Sequence, residues 1–226
     1  MKRSEINKII KESITFFEEM NFKLPPFAFF SKSDWENKEI DNKEIIDLQL
    51  GWDITDFGNN EFIKEGLLLF TLRNGTPDNS EYPKSYAEKI MIVREKQYTP
   101  MHYHWYKMED IINRGGGNLQ IEFFQADEKD QLSGVDIILS FDGIKKTIKA
   151  GEIITLLPGE SVTIPQKVYH RFCGEVGKGI VLTGEVSMVN DDSKDNNFFD
   201  PHGRFPEIEE DEPPYRLIVS DYAKYK

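Results

Sequence analysis

Short β-prone runs separated by tight-turn signals constrain this chain more than anything else in it. The runs span residues 67–72, 89–93, 119–124, 135–141, 153–157, 169–173 and 180–188. Between them stand turn pairs such as Asn74-Gly75, Asp142-Gly143 and Pro158-Gly159. Asp142-Gly143 predicts a hairpin, since both central residues of a type I′ turn need positive φ and the flanking residues favour strands. Many short strands with close connections predict an all-β fold, either a closed barrel or a double-sheet jelly roll. A chain of 226 residues is long enough to bury one sizeable core of that kind.

The amino-terminal part reads differently. Ile6, Ile9, Ile10, Ile14, Phe17 and Met20 recur at helical spacing, which predicts an amphipathic helix over 4–20 with Ser4 as its cap. Leu24-Pro25-Pro26 stops it, and Ser33 or Asp34 starts a short second turn around Trp35. Residues 41–60 read as acidic and irregular. The stretch 191–214 is too rich in Asp, Glu, Asn and Pro for a strand and reads as a long loop. The expected organisation is a helical and irregular extension over 1–65 that packs on a barrel over 66–226, with an acidic loop at 190–214.

Composition narrows the partners. Lys and Arg number 28 against 40 Asp and Glu, a net charge of −12, which opposes binding to nucleic acid or an anionic membrane. No apolar run approaches the roughly 20 residues of a spanning helix. The charged start MKRSEINKIIKES is not a secretion signal. Cys173 is the sole cysteine, so neither an intrachain disulfide nor a cysteine zinc cluster can form, and a reducing cytoplasm is expected.

His102 and His104 are alternate residues of one strand and project to the same face. With Glu109 and His170 they make a four-ligand set, and three of the four histidines of the chain fall in it. Imidazole with carboxylate suits Mn²⁺, Fe²⁺, Co²⁺, Ni²⁺ or Zn²⁺. Four protein ligands leave positions open for substrate oxygens. The odd spacing from His104 to Glu109 demands a bulge or turn between them.

These residues resemble the two motifs of the cupin superfamily. In the first, His102, His104, Glu109 and Gly116 stand in place, with Lys96 where a leading glycine is usual; in the second, Gly159, Pro165 and His170 match and Lys167 replaces a glycine. Within that superfamily the blocks YAEKI, HYHWYKMEDIINRGGGNLQIE, GEVSMVNDD and GRFPEIEEDEPP resemble the D-lyxose isomerase family over about residues 86–214. The resemblance implies a cupin jelly-roll β-barrel with a helical N-terminal extension and one divalent ion per chain, Mn²⁺ first in expectation. It also implies a homodimer and aldose–ketose isomerisation of a free sugar. D-lyxose with D-xylulose is the first expected pair, D-mannose with D-fructose the second. Two competing readings share the ligands: an Fe²⁺ dioxygenase, which anaerobic conditions would silence, and a cupin that binds sugar or metal without turnover.

An aldose–ketose isomerase moves a proton between adjacent carbons and needs a base beside the metal. Lys107, two residues before Glu109, shares its face if the strand is regular. Glu185, in IVLTGEVSMV, is the second candidate, because a carboxylate inside a barrel is unfavourable unless paired or used. Lys89 in AEKIMIV poses the same question. Asp191, Asp200, Arg204 and Glu207 lie in the acidic loop, where a lid would bind hydroxyls, with Glu207 a third proton-transfer candidate. His202 is expected at the surface. The glycines at 115–117 lack the Lys-Ser/Thr of a phosphate loop and read as a flexible turn between sheets. Without a basic cluster nearby, the expected sugar is unphosphorylated.

Overall fold

Each β-prone run becomes a strand in the computed structural model, which describes residues 1–37, 39–76, 80–189, 192–203 and 206–224. The strands are β1 (Gly51–Thr55), β2 (Leu67–Arg73), β3 (Tyr86–Val93), β4 (His102–His104), β5 (Glu109–Gly116), β6 (Leu119–Ala126) and β7 (Leu132–Ser133). They continue with β8 (Ile137–Phe141), β9 (Ile144–Ile148), β10 (Ile153–Leu156), β11 (Ser161–Ile164), β12 (Val168–Gly174), β13 (Val181–Met188) and β14 (Asn196–Phe198). One sheet runs β1-β2-β3-β13-β5-β11-β8-β9; the other runs β10-β6-β12-β4-β14, with β7 beside β6. From β3 onward the chain mostly changes sheet at each connection, the jelly-roll habit. The β8–β9 hairpin is an exception, closed by Asp142 and Gly143 at φ 49° and 82° as a type I′ turn requires.

Between the sheets lies a core that includes Met91, Ile111, Leu119, Phe123, Val162, Phe172 and Val181. Helix α1 (Arg3–Glu19) covers the outer face of the longer sheet, setting Ile6, Ile10 and Phe17 against Trp52, Leu68, Phe70, Ile90 and Leu182. Strands β2 and β3 are therefore apolar on both faces, which is why they read as continuous hydrophobic runs. No helix among the described residues is long and apolar enough to cross a membrane.

Four expectations need correction. Ser4 does not cap α1 with its own side chain: Asp211 does the capping, accepting from the Ser4 backbone N–H at 2.9 Å and from its hydroxyl at 2.6 Å. Strand β1 lies in the stretch read as irregular; Trp52 and Ile54 pack under α1 while Thr55 turns to the cavity, so its polar residues mark the barrel interior. The acidic stretch after β13 holds α4 (Asp192–Asp195) and β14, which pairs with β4. The short second helix, α2 (Lys32–Glu36), is capped by Ser31, slightly earlier than expected, through a reciprocal box with Asp34. Gly116 turns the chain from one sheet to the other at φ 83°, where an added Cβ would stand 2.2 Å from the Ile180 carbonyl oxygen.

Candidate active site and metal centre

The two sheets bring different chemistry to one cavity. The shorter sheet contributes imidazoles: His102 and His104 from β4, and His170 from β12, directly opposite His102 in register. Their ligating nitrogens lie within 4.8 Å of one another. The longer sheet contributes Glu109 from β5, Glu185 from β13 and Lys89 from β3, with Glu185 and Lys89 paired in register. Glu109 therefore belongs to the opposite wall from the histidines. Its odd spacing from His104 reflects a crossing at residues 105–108 between sheets.

Lys107 sits on that crossing, not in a strand, yet its ammonium reaches the site. Nζ stands 2.7 Å from Glu109 Oε2 and 2.9 Å from Glu185 Oε1, with both partners buried. Lys89 Nζ approaches Glu185 Oε1 at 3.3 Å, and the Ser187 hydroxyl donates to the same oxygen at 3.0 Å. Four ionisable residues no more than 6% exposed, Lys89, Lys107, Glu109 and Glu185, would be unfavourable if each stood alone; here they offset one another.

The imidazoles fit a metal. His102 Nδ1 lies 2.8 Å from the Pro100 carbonyl and His170 Nδ1 3.1 Å from the Val168 carbonyl. A carbonyl oxygen only accepts, so the proton sits on Nδ1 and Nε2 keeps its lone pair for a metal. Glu109 Oε1, 3.0 Å from His170 Nε2 and 3.3 Å from His104 Nε2, is buried without a hydrogen bond. Burial, reinforced by the neighbouring rings, holds His102 well below the ordinary histidine value. Burial and then Lys107 lower His104. For Glu109 burial pushes upward, but Lys107 and His104 outweigh it and keep the carboxyl well below its usual range. Clustered imidazoles beside a carboxyl kept below its usual range are what a divalent cation takes as ligands.

The whole cavity measures about 640 Å³ counted out to its open mouth, and the rest of its lining includes Thr55, Phe57, Thr99, Asn196 and Phe198. Of the loop candidates, Asp200 is exposed outside this lining, and Glu207 is exposed near the start of α1, where its carbonyl accepts from the amino terminus at 2.7 Å. Neither meets the histidines, because residues 207–212 clasp α1 instead of roofing the barrel. Asp191 and Arg204 lie outside the described residues. His202 is not a plain surface residue. It packs on Phe57 and Phe198, with ring centroids 6.3 and 5.6 Å away, and its Nδ1 stands 3.1 Å from Glu65 Oε1. Phe57, Phe198 and Asn196 arrive from distant segments and carry no spacing signal in the sequence.

A histidine triad on one wall of a jelly-roll barrel, faced by a carboxylate on the other, defines a cupin-type candidate metal centre. Comparison with known proteins narrows the class. The chain belongs to the D-lyxose isomerase family, whose model matches residues 1–222. It is 49% identical to the D-lyxose/D-mannose isomerase of Serratia proteamaculans, over 100% of this chain and 99% of that one. Identity is 48% to the D-lyxose/D-mannose isomerase of Escherichia coli O157:H7, with both chains covered in full. Among solved structures, an L-ribose isomerase variant from Acinetobacter sp. DL28 in complex with L-ribose shares the fold at TM-score 0.63 and 15% identity, covering 92% of this chain and 98% of that one. The L-ribose isomerase of Geodermatophilus obscurus does so at TM-score 0.62 and 16% identity, with the same coverage. Family membership makes this chain an aldose–ketose sugar isomerase, and the dioxygenase and purely binding readings fall away.

Proposed function

We propose that this chain interconverts D-lyxose with D-xylulose and D-mannose with D-fructose, with Mn²⁺ held by His102, His104, Glu109 and His170. The names of its full-length relatives support the substrates. The observation that carries the site assignment is the placement of Lys107 Nζ between Glu109 and Glu185. When bound, a divalent ion supplies a Lewis acid for the sugar carbonyl and its neighbouring hydroxyl.

The protein groups then divide the proton traffic. Glu185 takes the proton from C2 of the aldose and returns it to C1, passing through a cis-enediol. Lys107 donates to O1 and is refilled from O2, so that no net proton is gained or lost. Lys89, paired with Glu185 across the strands, holds that carboxylate in place and offers a donor to a sugar hydroxyl. Phe57, Phe172 and Phe198 exclude water from the transfer. The reading further places the enzyme as a homodimer in a reducing cytoplasm. The exposed Ile138 and Ile144 on the paired strands β8 and β9, and the buried free Cys173, support this. A monomer mass in sedimentation equilibrium would rule the dimer out.

Chelator treatment should abolish turnover, and Mn²⁺, Co²⁺, Ni²⁺ and Zn²⁺ restored separately against free pentoses and hexoses should identify the ion and the sugar. If no sugar is isomerised with any ion, the proposal fails. Lys107→Ala should retain metal while kcat falls about 10²- to 10⁴-fold, the usual share of a proton-transfer group. Turnover in D₂O should place deuterium at the exchanging carbon, whereas a hydride shift would leave it out.

A further inference from the structure

Asp195 stands behind the candidate centre, outside the residues that line the cavity. It is the last residue of α4, and its side chain is only 3% exposed. Three successive backbone N–H groups of the sheet-to-sheet crossing donate to it. Trp105 N–H donates to the Asp195 carbonyl at 3.1 Å, Tyr106 N–H to Oδ1 at 2.7 Å and Lys107 N–H to Oδ2 at 3.1 Å. The crossing has no strand partner of its own along these residues, so this one residue, with its carbonyl and both carboxylate oxygens, takes the place of a ladder. It sets where the Lys107 backbone sits, and hence where the ammonium lands between Glu109 and Glu185.

The same carboxylate faces a ligand. His102 and His170 each fix their Nδ1 proton on a backbone carbonyl two residues earlier. His104 does not: its Nδ1 is buried with no hydrogen bond, and Asp195 Oδ2 lies 3.9 Å from it. A bridging water or a shift of about 1 Å closes that gap. A carboxylate behind a ligating imidazole fixes its tautomer and raises its basicity, an effect a backbone carbonyl gives more weakly.

We infer that Asp195 is a positioning residue that couples the two halves of the site, holding Lys107 through the backbone of the crossing and His104 through its Nδ1 proton. It acts through these groups and touches neither metal nor sugar. The inference rests on the proposed metal-dependent isomerase function for its kinetic readout, but its metal readout needs no sugar.

Asp195→Asn keeps the side-chain shape and one acceptor oxygen. Titration with Mn²⁺ should show an affinity about 10- to 100-fold weaker than wild type, the usual scale for losing a partner behind a metal ligand. In the loaded variant kcat should fall at least about tenfold with KM within about threefold, a loss confined to the transition state. Asn197→Ala serves as control: it removes the bond from Asn197 to the Tyr169 hydroxyl, two strands away on β12, and should leave Mn²⁺ affinity unchanged. In Zn²⁺-loaded wild-type protein, nitrogen-15 NMR should show the His104 Nδ1 proton protected from exchange. Wild-type affinity in Asp195→Asn, an equal loss in Asn197→Ala, or a rapidly exchanging Nδ1 proton would each overturn the inference. If Asp195→Asn gives no cooperative melting transition, the wild-type NMR result decides alone. A wild-type enzyme that binds Mn²⁺ but turns over no sugar defeats the functional reading and leaves the metal comparison to judge Asp195.

Discussion

The Arg3 cluster at the amino terminus and the Lys107 cluster in the barrel both bury ions, and they are built on opposite plans. Arg3 is fully buried and forms paired hydrogen bonds to two carboxylates. Nε and Nη2 reach Glu210 at 2.8 Å each, while Nη1 and Nη2 reach Asp221 at 3.1 and 2.8 Å. Asp221 also accepts from the Ile218 N–H. Burial alone would lower the Arg3 pKa, but the hydrogen bonds from Arg3 to Glu210 and Asp221 raise it above the ordinary arginine value. That cluster closes on itself and ties α1 to the carboxyl-terminal segment. The barrel cluster stays open, since Glu109 Oε1 is buried without a hydrogen bond. A buried polar atom with no partner is destabilising by about 1–3 kcal/mol, so its persistence at a site marks a waiting ligand.

Glu109→Gln gives the largest separation between the two clusters. It removes the one carboxylate among the four candidate ligands while Lys107 keeps Glu185. Turnover should fall by about 10⁴-fold or more, the scale seen when one member of a concerted unit is lost. The melting temperature of the metal-free protein should move by no more than about 3 °C, equivalent to about 1 kcal/mol in a chain of this size. A calorimetric loss much larger than that would show the barrel cluster to be as structural as the Arg3 cluster, and the contrast would collapse.

Arg3→Met tests the other side. It leaves the buried Asp221 without its cation, which should destabilise the fold by about 3 kcal/mol, a drop in melting temperature of about 6–12 °C. Measured well below that transition, kcat and KM should stay within about twofold of wild type, because no group of the Arg3 cluster lines the cavity. A variant with normal melting but impaired turnover would mean that the clasp on α1 is felt in the barrel.

The two clusters also differ in how far the sequence reveals them. The period of two along a strand puts His102 and His104 on one face, ligand chemistry adds Glu109 and His170, and the motif resemblance agrees. Parity failed between His104 and Glu109 because the chain changes sheets there, and no local pattern announces which sheet a residue will join. A regular strand would put Lys107 on the face of Glu109; it reaches Glu109 from a crossing instead. Asp195 stood in a stretch of similar acidic residues, where only tertiary structure separates the buried carboxylate from its solvated neighbours. The run Glu209–Asp211 contains the partners of α1, yet the same run reads equally well as a solvated loop over the barrel. Strand β1 escaped notice for a related reason: its inward side chains are polar.

Glu210 carries the smallest expected effect and the sharpest test of the clasp's charge. Hydrogen bonds from Arg3 hold its carboxyl below the ordinary value of 4.5, against a weaker upward push from burial. With its folded pKa depressed, the unfolded chain binds more protons near that pH. The stabilisation is therefore complete above about 4.5 and is lost as pH falls through the lower folded value. The Glu210 side chain is 47% exposed, so solvent screens the pair and its worth stays small. Glu210→Gln should lower the melting temperature at pH 7 by no more than about 4 °C, the equivalent of about 1 kcal/mol. Between about pH 5 and pH 3 the variant should lose stability less steeply than wild type, because one depressed carboxyl no longer titrates. Parallel slopes in the two proteins would move the acid sensitivity to Asp211, whose carboxyl is held low by the Ser4 hydroxyl and backbone at the start of the same helix. The clasp would then act through the helix cap and not through the Arg3 pair.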